Sequence, residues 1–234
     1  MTEHSPRQAA LVAGVSILIM TVAAVLATDL SIGRLYVPGD ASATSANIQS
    51  SQLLFRIGIF SWFIILICDV LAAWGLYEFL KPVNRSLSLI MAWFRLVYAA
   101  ILGAAMLNLT DVLLLTGGDS FSVMPPAEMI QAQVLLSIHA FYEAWSLGLV
   151  VFGVHVFFLG YLTYRSGTVP KILGVLLIIA FFGYLITNLA DILIPGYKDY
   201  KMIVGLIFLI PMLSEVALGI WLVIKGGKRS GQAA

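Results

Sequence analysis

Six stretches of this chain are each long and apolar enough to cross a lipid bilayer, and that constrains the fold more than any other feature. A membrane-spanning helix needs about 20 mostly apolar residues. The stretches are 8–28, 53–80, 87–116, 131–164, 170–194 and 202–224. Several exceed the minimum, which implies tilted helices or ends that project past the hydrocarbon. With 61% apolar and 11% charged residues among 234, and a mean hydropathy of +1.00, an ordinary soluble domain is excluded. The same figures exclude a disordered chain. A net charge of +1 leaves no electrostatic footprint for nucleic acid. The expected fold is therefore all-α: six transmembrane helices in one bundle, a single domain over 1–234, with the lipid bilayer as its principal partner.

Orientation is read from the loops. Arg7, Lys81, Arg85, Arg165, Lys171, Lys225, Lys228 and Arg229 fall on one side. Arg34, Lys198 and Lys201 fall on the other. The bias of eight against three places both termini in the cytoplasm, as for a multi-pass protein of a bacterial inner membrane. Tyr77, Tyr161, Tyr164 and Trp221 mark the inner boundary, and Tyr36, Tyr197 and Tyr200 the outer one. The first stretch is longer than the apolar core of a signal peptide, so it is expected to be retained. Pro38-Gly39-Asp40 signals a turn in the first outer loop. The polar run 41–52 that follows reads as a helical extension of the second span.

Asn108-Leu109-Thr110-Asp111-Val112-Leu113 recurs 80 residues later as Asn188-Leu189-Ala190-Asp191-Ile192-Leu193. Asn and Asp are rare in spans. The match suggests a parallel internal repeat in which spans two and three correspond to spans four and five.

Charged groups inside a span are expensive and face a protein interior or a wet cavity. Asp69, Arg95, His155 and Glu215 lie eight to eleven residues from the inner ends of their helices. At about 1.5 Å per residue they share a level near mid-bilayer, roughly 12–17 Å deep. They form the expected ligand-binding layer. Arg95 needs an acid at its own level, either Asp69 or Glu215. Glu215 is the favoured partner, because Pro211 one turn earlier frees the Ile207 carbonyl and lets that helix bend. His155 lies about 120° round its helix from Glu143, so it joins a different contact from His139.

Arg56, Asn108, Asp111, His139, Glu143, Asn188 and Asp191 form an outer polar layer near the far interface. His139, Glu143, Asp111 and Asp191 are residue types that zinc or manganese would accept, but no metal-binding motif accompanies them. No nucleophile elbow, phosphate-binding loop or dinucleotide fingerprint is present. The single cysteine, Cys68, makes neither an internal disulfide nor a metal site alone. The cofactor, if any, stays unknown.

Val37-Pro38-Gly39-Asp40 followed by Leu53-Leu54-Phe55-Arg56-Ile57-Gly58 resembles an uncharacterised bacterial membrane family, domain of unknown function 4386. The run from Leu147 to His155, Gly160-Tyr161-Leu162, Pro170-Lys171-Ile172-Leu173-Gly174 and Trp221-Leu222-Val223-Ile224-Lys225-Gly226 continue that resemblance over nearly the whole chain. It implies about six helices and brings no activity or site residue. The expected function is the binding, transport or sensing of a small molecule or ion, and a homo-oligomer is open to the chain. Two other readings stay open: an intramembrane metal-dependent enzyme, and a structural or partner subunit without a ligand.

Overall fold

The computed structural model describes residues 5–117, 125–194 and 201–227, with backbone only at 201, 202, 204, 208 and 210–212. Lys198, Tyr197, Tyr200, Lys228, Arg229 and most of the loop 117–128 lie outside the described residues. The chain is all-helical there. α1 is Pro6–Leu35, α2 Ala41–Ser50, α3 Gln52–Leu80, α4 Arg85–Thr116, α5 Ala127–Arg165, α6 Lys171–Leu193 and α7 Lys201–Ile224. α1 and α3 to α6 are each long and apolar enough to cross a membrane. α7 contributes a shorter apolar stretch, Leu213–Ile224, and its full 24 residues extend about 36 Å. The protein is thus a polytopic helical membrane protein, and its exposed apolar side chains, such as Phe60, Trp93, Leu107, Ile172 and Leu206, suit a lipid surface.

Three local features depart from the sequence expectation. α1 continues past Thr28 through a π-turn, Thr28–Ile32, and one further turn, Gly33–Leu35. A Cβ at Gly33 would run into the Thr28 carbonyl oxygen, so only glycine fits where the extra residue is accommodated. α2 is a separate helix, not an extension of the second span. Asp40 caps its start by accepting from the Ala43 N–H at 2.8 Å. Ser51 leaves helical geometry at φ −133°, ψ 43° and breaks it from α3. The predicted turn before it is present: Gly39 takes φ +78°, which Pro38-Gly39 is suited to supply.

The residues group into two compact units. The first comprises 1–20, 67–99 and 146–234. Within it the start of α1 lies against the end of α7. The Arg7 guanidinium donates to the Leu222, Val223 and Gly226 carbonyls at 3.1, 2.5 and 2.9 Å. The Leu222 carbonyl also accepts from the Gly226 N–H at 3.1 Å, and the last carbonyls of a helix generally need such outside donors. The N-terminal end of α1 and the C-terminal end of α7 therefore meet. Gly14 opposes Gly219, where an added Cβ would lie 2.8 Å from its carbonyl oxygen.

α5 and α6 cross at Gly160 and Gly174. A Cβ on Gly174 would sit 2.7 Å from the Tyr164 backbone nitrogen, and one on Gly160 2.9 Å from the Gly174 carbonyl oxygen. Small residues let backbones approach this closely, and in lipid that contact is a main source of association. Gly174→Leu should therefore push the two helices apart. An overpacking loss of about 1–3 kcal/mol is expected as a lower melting temperature in detergent, whereas Val175→Leu on the exposed face should change little.

The second unit comprises 21–66 and 100–145. Ser31, in the π-turn, donates to the Leu54 carbonyl at 2.6 Å, and a Cβ at Gly58 would collide with the Ser31 hydroxyl. Trp62 packs edge-on against Phe141 and Trp145, with ring centroids 5.1 and 4.9 Å apart.

Candidate functional site

Within the first unit, α3, α4 and α5 carry Asp69, Arg95 and His155 to one point. All three are essentially sealed, at 1%, 1% and 0% exposure. Arg95 Nη2 pairs with Asp69 Oδ1 at 2.8 Å. Its Nη1 reaches His155 Nε2 at 3.0 Å, and Nη2 also reaches the Met20 sulfur at 3.7 Å. His155 Nδ1 lies 2.9 Å from the Met91 carbonyl oxygen.

These contacts settle the state of the imidazole. A carbonyl only accepts, so Nδ1 must carry a hydrogen and donate to Met91. A guanidinium only donates, so Nε2 must accept from Arg95. His155 is therefore neutral here, as its Nδ1–H tautomer. The Arg95 guanidinium also lies over the Phe152 ring, 5.1 Å from its centroid, a cation–π contact. Tyr98, His155 and Tyr184 surround the same ring with centroids 4.8–5.3 Å away.

Glu215 on α7 completes the deep layer differently from the expectation. The ion pair of Arg95 is with Asp69 and not with Glu215. Glu215 lies within electrostatic range of Arg95 and Asp69, but its buried Oε1 has no hydrogen-bond partner. Equal depth was a correct guide to the meeting of Asp69, Arg95 and His155. The freed carbonyl beside Pro211 was not a guide to which acid Arg95 selects, because depth says nothing of direction round the helix. Two further buried atoms of the cluster also lack partners, Asp69 Oδ2 and Arg95 Nε.

The outer polar residues divide. Arg56, Asp111, His139 and Glu143 are exposed, and Asn108 and Asp191 are half-buried. His139 Nε2 is hydrogen-bonded to the Tyr36 hydroxyl at 2.7 Å. Asn188 is buried and accepts from Ser146 at 3.0 Å, joining α6 to α5, while its amide donates to the Tyr184 carbonyl at 2.7 Å. Asn108, its counterpart in the repeated segment, donates to Ala105 on its own helix. The two copies of the Asn-Leu-x-Asp segment thus hold different environments. Among the described residues no three His, Cys, Asp or Glu side chains come together to hold a metal ion. The metal expectation at His139, Glu143, Asp111 and Asp191 therefore gains no support.

Several participants escaped the sequence reading. Tyr36 reads as an interfacial aromatic, and nothing in its loop position signals a bond to His139. Phe152 was findable: it precedes His155 by three residues and so shares its face. Met20 and the Met91 carbonyl carry no polar signal at all.

Comparison with known proteins fits this picture. The model of a family described as domain of unknown function, DUF4386, matches residues 12–226. The chain belongs to that family. An uncharacterised protein from Archaeoglobus fulgidus is 36% identical over 168 residues, covering 72% of this chain and 83% of that one. No solved structure matches. Family membership extends over all seven helices, including every residue of the deep cluster, and assigns none of them a role.

Proposed function

We propose that this protein binds a small polar molecule or ion within the membrane at the cluster of Asp69, Arg95, His155 and Glu215, as a carrier or a sensor. The observation that supports this reading is the set of three buried, unpartnered polar atoms: Asp69 Oδ2, Arg95 Nε and Glu215 Oε1. More than nine in ten buried polar groups in native proteins are hydrogen-bonded, so exceptions need a reason. A ligand with donors for the two carboxylates and an acceptor for Arg95 Nε would satisfy all three. The Arg95–Asp69 pair holds the frame, because Nη1 is committed to His155 and Nη2 to Asp69 and Met20. The metal-dependent enzyme has no comparable observation behind it.

The membrane is proposed to be the cytoplasmic one, with both chain ends inside. The loop charge bias and the contact of Arg7 with the end of α7 support that arrangement.

The test is thermal unfolding of the purified protein in lipid nanodiscs against ammonium, methylammonium, guanidinium, potassium and simple amino acids. At least one should raise the melting temperature of the wild type. Arg95→Lys should keep the pair with Asp69 but lose the response, because a point ammonium lacks the planar fork and the Nε donor. If no compound in the panel shifts the wild type, the reading falls.

A further inference from the structure

The charge count of the deep cluster points to what Glu215 does. Arg95 contributes one positive charge, and Asp69 at 2.8 Å cancels it. His155 contributes none, because Met91 and Arg95 between them fix its neutral tautomer. Tyr98 and Tyr184 face the same site from α4 and α6 as neutral phenols, and α1 brings only the Met20 sulfur. Glu215 is thus the one acid of the cluster without a compensating charge. Glu215 is half-buried, but its Oε1 is sealed and accepts no hydrogen bond, so ionising it at this depth would be penalised.

One positive charge restores neutrality. A divalent ion would overshoot and would need more oxygen ligands than the cluster offers. A monovalent metal ion would still need several oxygens, beside a guanidinium that repels it. A proton needs one oxygen. We propose that Glu215 is a proton-binding site, occupied in this conformation, whose proton is exchanged when α7 moves relative to the Arg95–Asp69 pair. α7 is the compliant wall: it lacks a backbone hydrogen bond between Ile207 and Pro211, one turn before Glu215. This deepens the proposed function and rests on the cluster being the functional site. It makes the protein proton-linked, with Asp69 as the fixed counter-ion and Glu215 as the exchangeable one.

Infrared difference spectroscopy of the protein in nanodiscs tests this directly. At neutral pH the wild type should show the carbonyl stretch of a protonated carboxylic acid, shifted on transfer to heavy water. Glu215→Gln removes the carboxyl while keeping its shape, so the band should vanish. In Asp69→Asn it should remain. Raising the pH should bleach the wild-type band and lower the melting temperature, while the Glu215→Gln protein should keep a flat melting profile. A wild type without the band overturns the proposal whatever the variants do. So does a band that survives Glu215→Gln, or one that appears only when sodium, potassium and ammonium are withdrawn. The band is read without any added ligand, so it can be present when the whole panel above fails, and absent when the panel succeeds.

Discussion

Replacing Arg95 with Ala should cost the protein about 3–5 kcal/mol of stability, the usual loss when one partner of a buried ion pair is removed. The reason is the charge left behind. Asp69 is 1% exposed, and its Oδ1 accepts from Arg95, while its Oδ2 already lacks a partner. Without the guanidinium, Asp69 must either stay charged in a low-dielectric interior or take up a proton. His155 would lose its donor at Nε2 as well. The informative measurement is the second substitution. Asp69→Asn added to Arg95→Ala should recover a substantial part of the lost melting temperature, since no ion is then stranded. Glu215→Gln added to Arg95→Ala should recover little, because Glu215 is not the partner. A larger rescue from Glu215→Gln than from Asp69→Asn would mean that the two acids exchange roles, and the assignment of the pair would be wrong.

That comparison also shows what could be read from the sequence. The spans were legible because roughly 20 consecutive apolar residues have few other uses. Counting residues from the helix ends then placed Asp69, Arg95 and His155 at one depth, and the structure brings those three together. Depth is one coordinate only. Whether Arg95 turns toward α3 or α7 depends on how the helices are rotated and crossed. Those rotations come from close contacts such as Gly160 on Gly174 and Gly14 on Gly219. A glycine in an apolar run announces that a close approach is tolerated, without naming its partner.

The turn of α1 at Thr28–Ile32 was hidden for a related reason. A π-turn adds one residue to a helix without changing its composition. Its trace in the sequence is Gly33, whose significance depends on the Thr28 carbonyl lying against it. The separation of α2 from α3 was also obscured, because 41–52 is a plausible helix throughout, and only the backbone geometry at Ser51 divides it. Outer-layer groups such as Arg56 and Asp111 remain exposed. That fits a depth at which charge is cheap and partners are optional.

The second large effect is expected in the other compact unit, at Trp62. It is 2% exposed, and its ring meets Phe141 and Trp145 edge-on at 5.1 and 4.9 Å. Phe141 and Trp145, one turn apart on α5, are themselves stacked at 6.4 Å. Removing the indole leaves a cavity that rigid aromatic neighbours fill poorly. Trp62→Ala should therefore destabilise by about 3–5 kcal/mol. Transfer from water contributes less within a bilayer, but the lost dispersion contacts remain. Trp62→Phe separates packing from polarity. The indole N–H is buried without a hydrogen-bond partner, and such a group typically costs about 1–3 kcal/mol. Phe removes that group while keeping most of the ring. The smaller ring and the deleted orphan donor act in opposite directions, so Trp62→Phe should melt within roughly 1 kcal/mol of the wild type. Unfolding of both variants in the same detergent decides the matter. If Phe is as damaging as Ala, the indole N–H has a partner in the membrane-embedded protein, and Trp62 would have to be counted among the residues that hold something there.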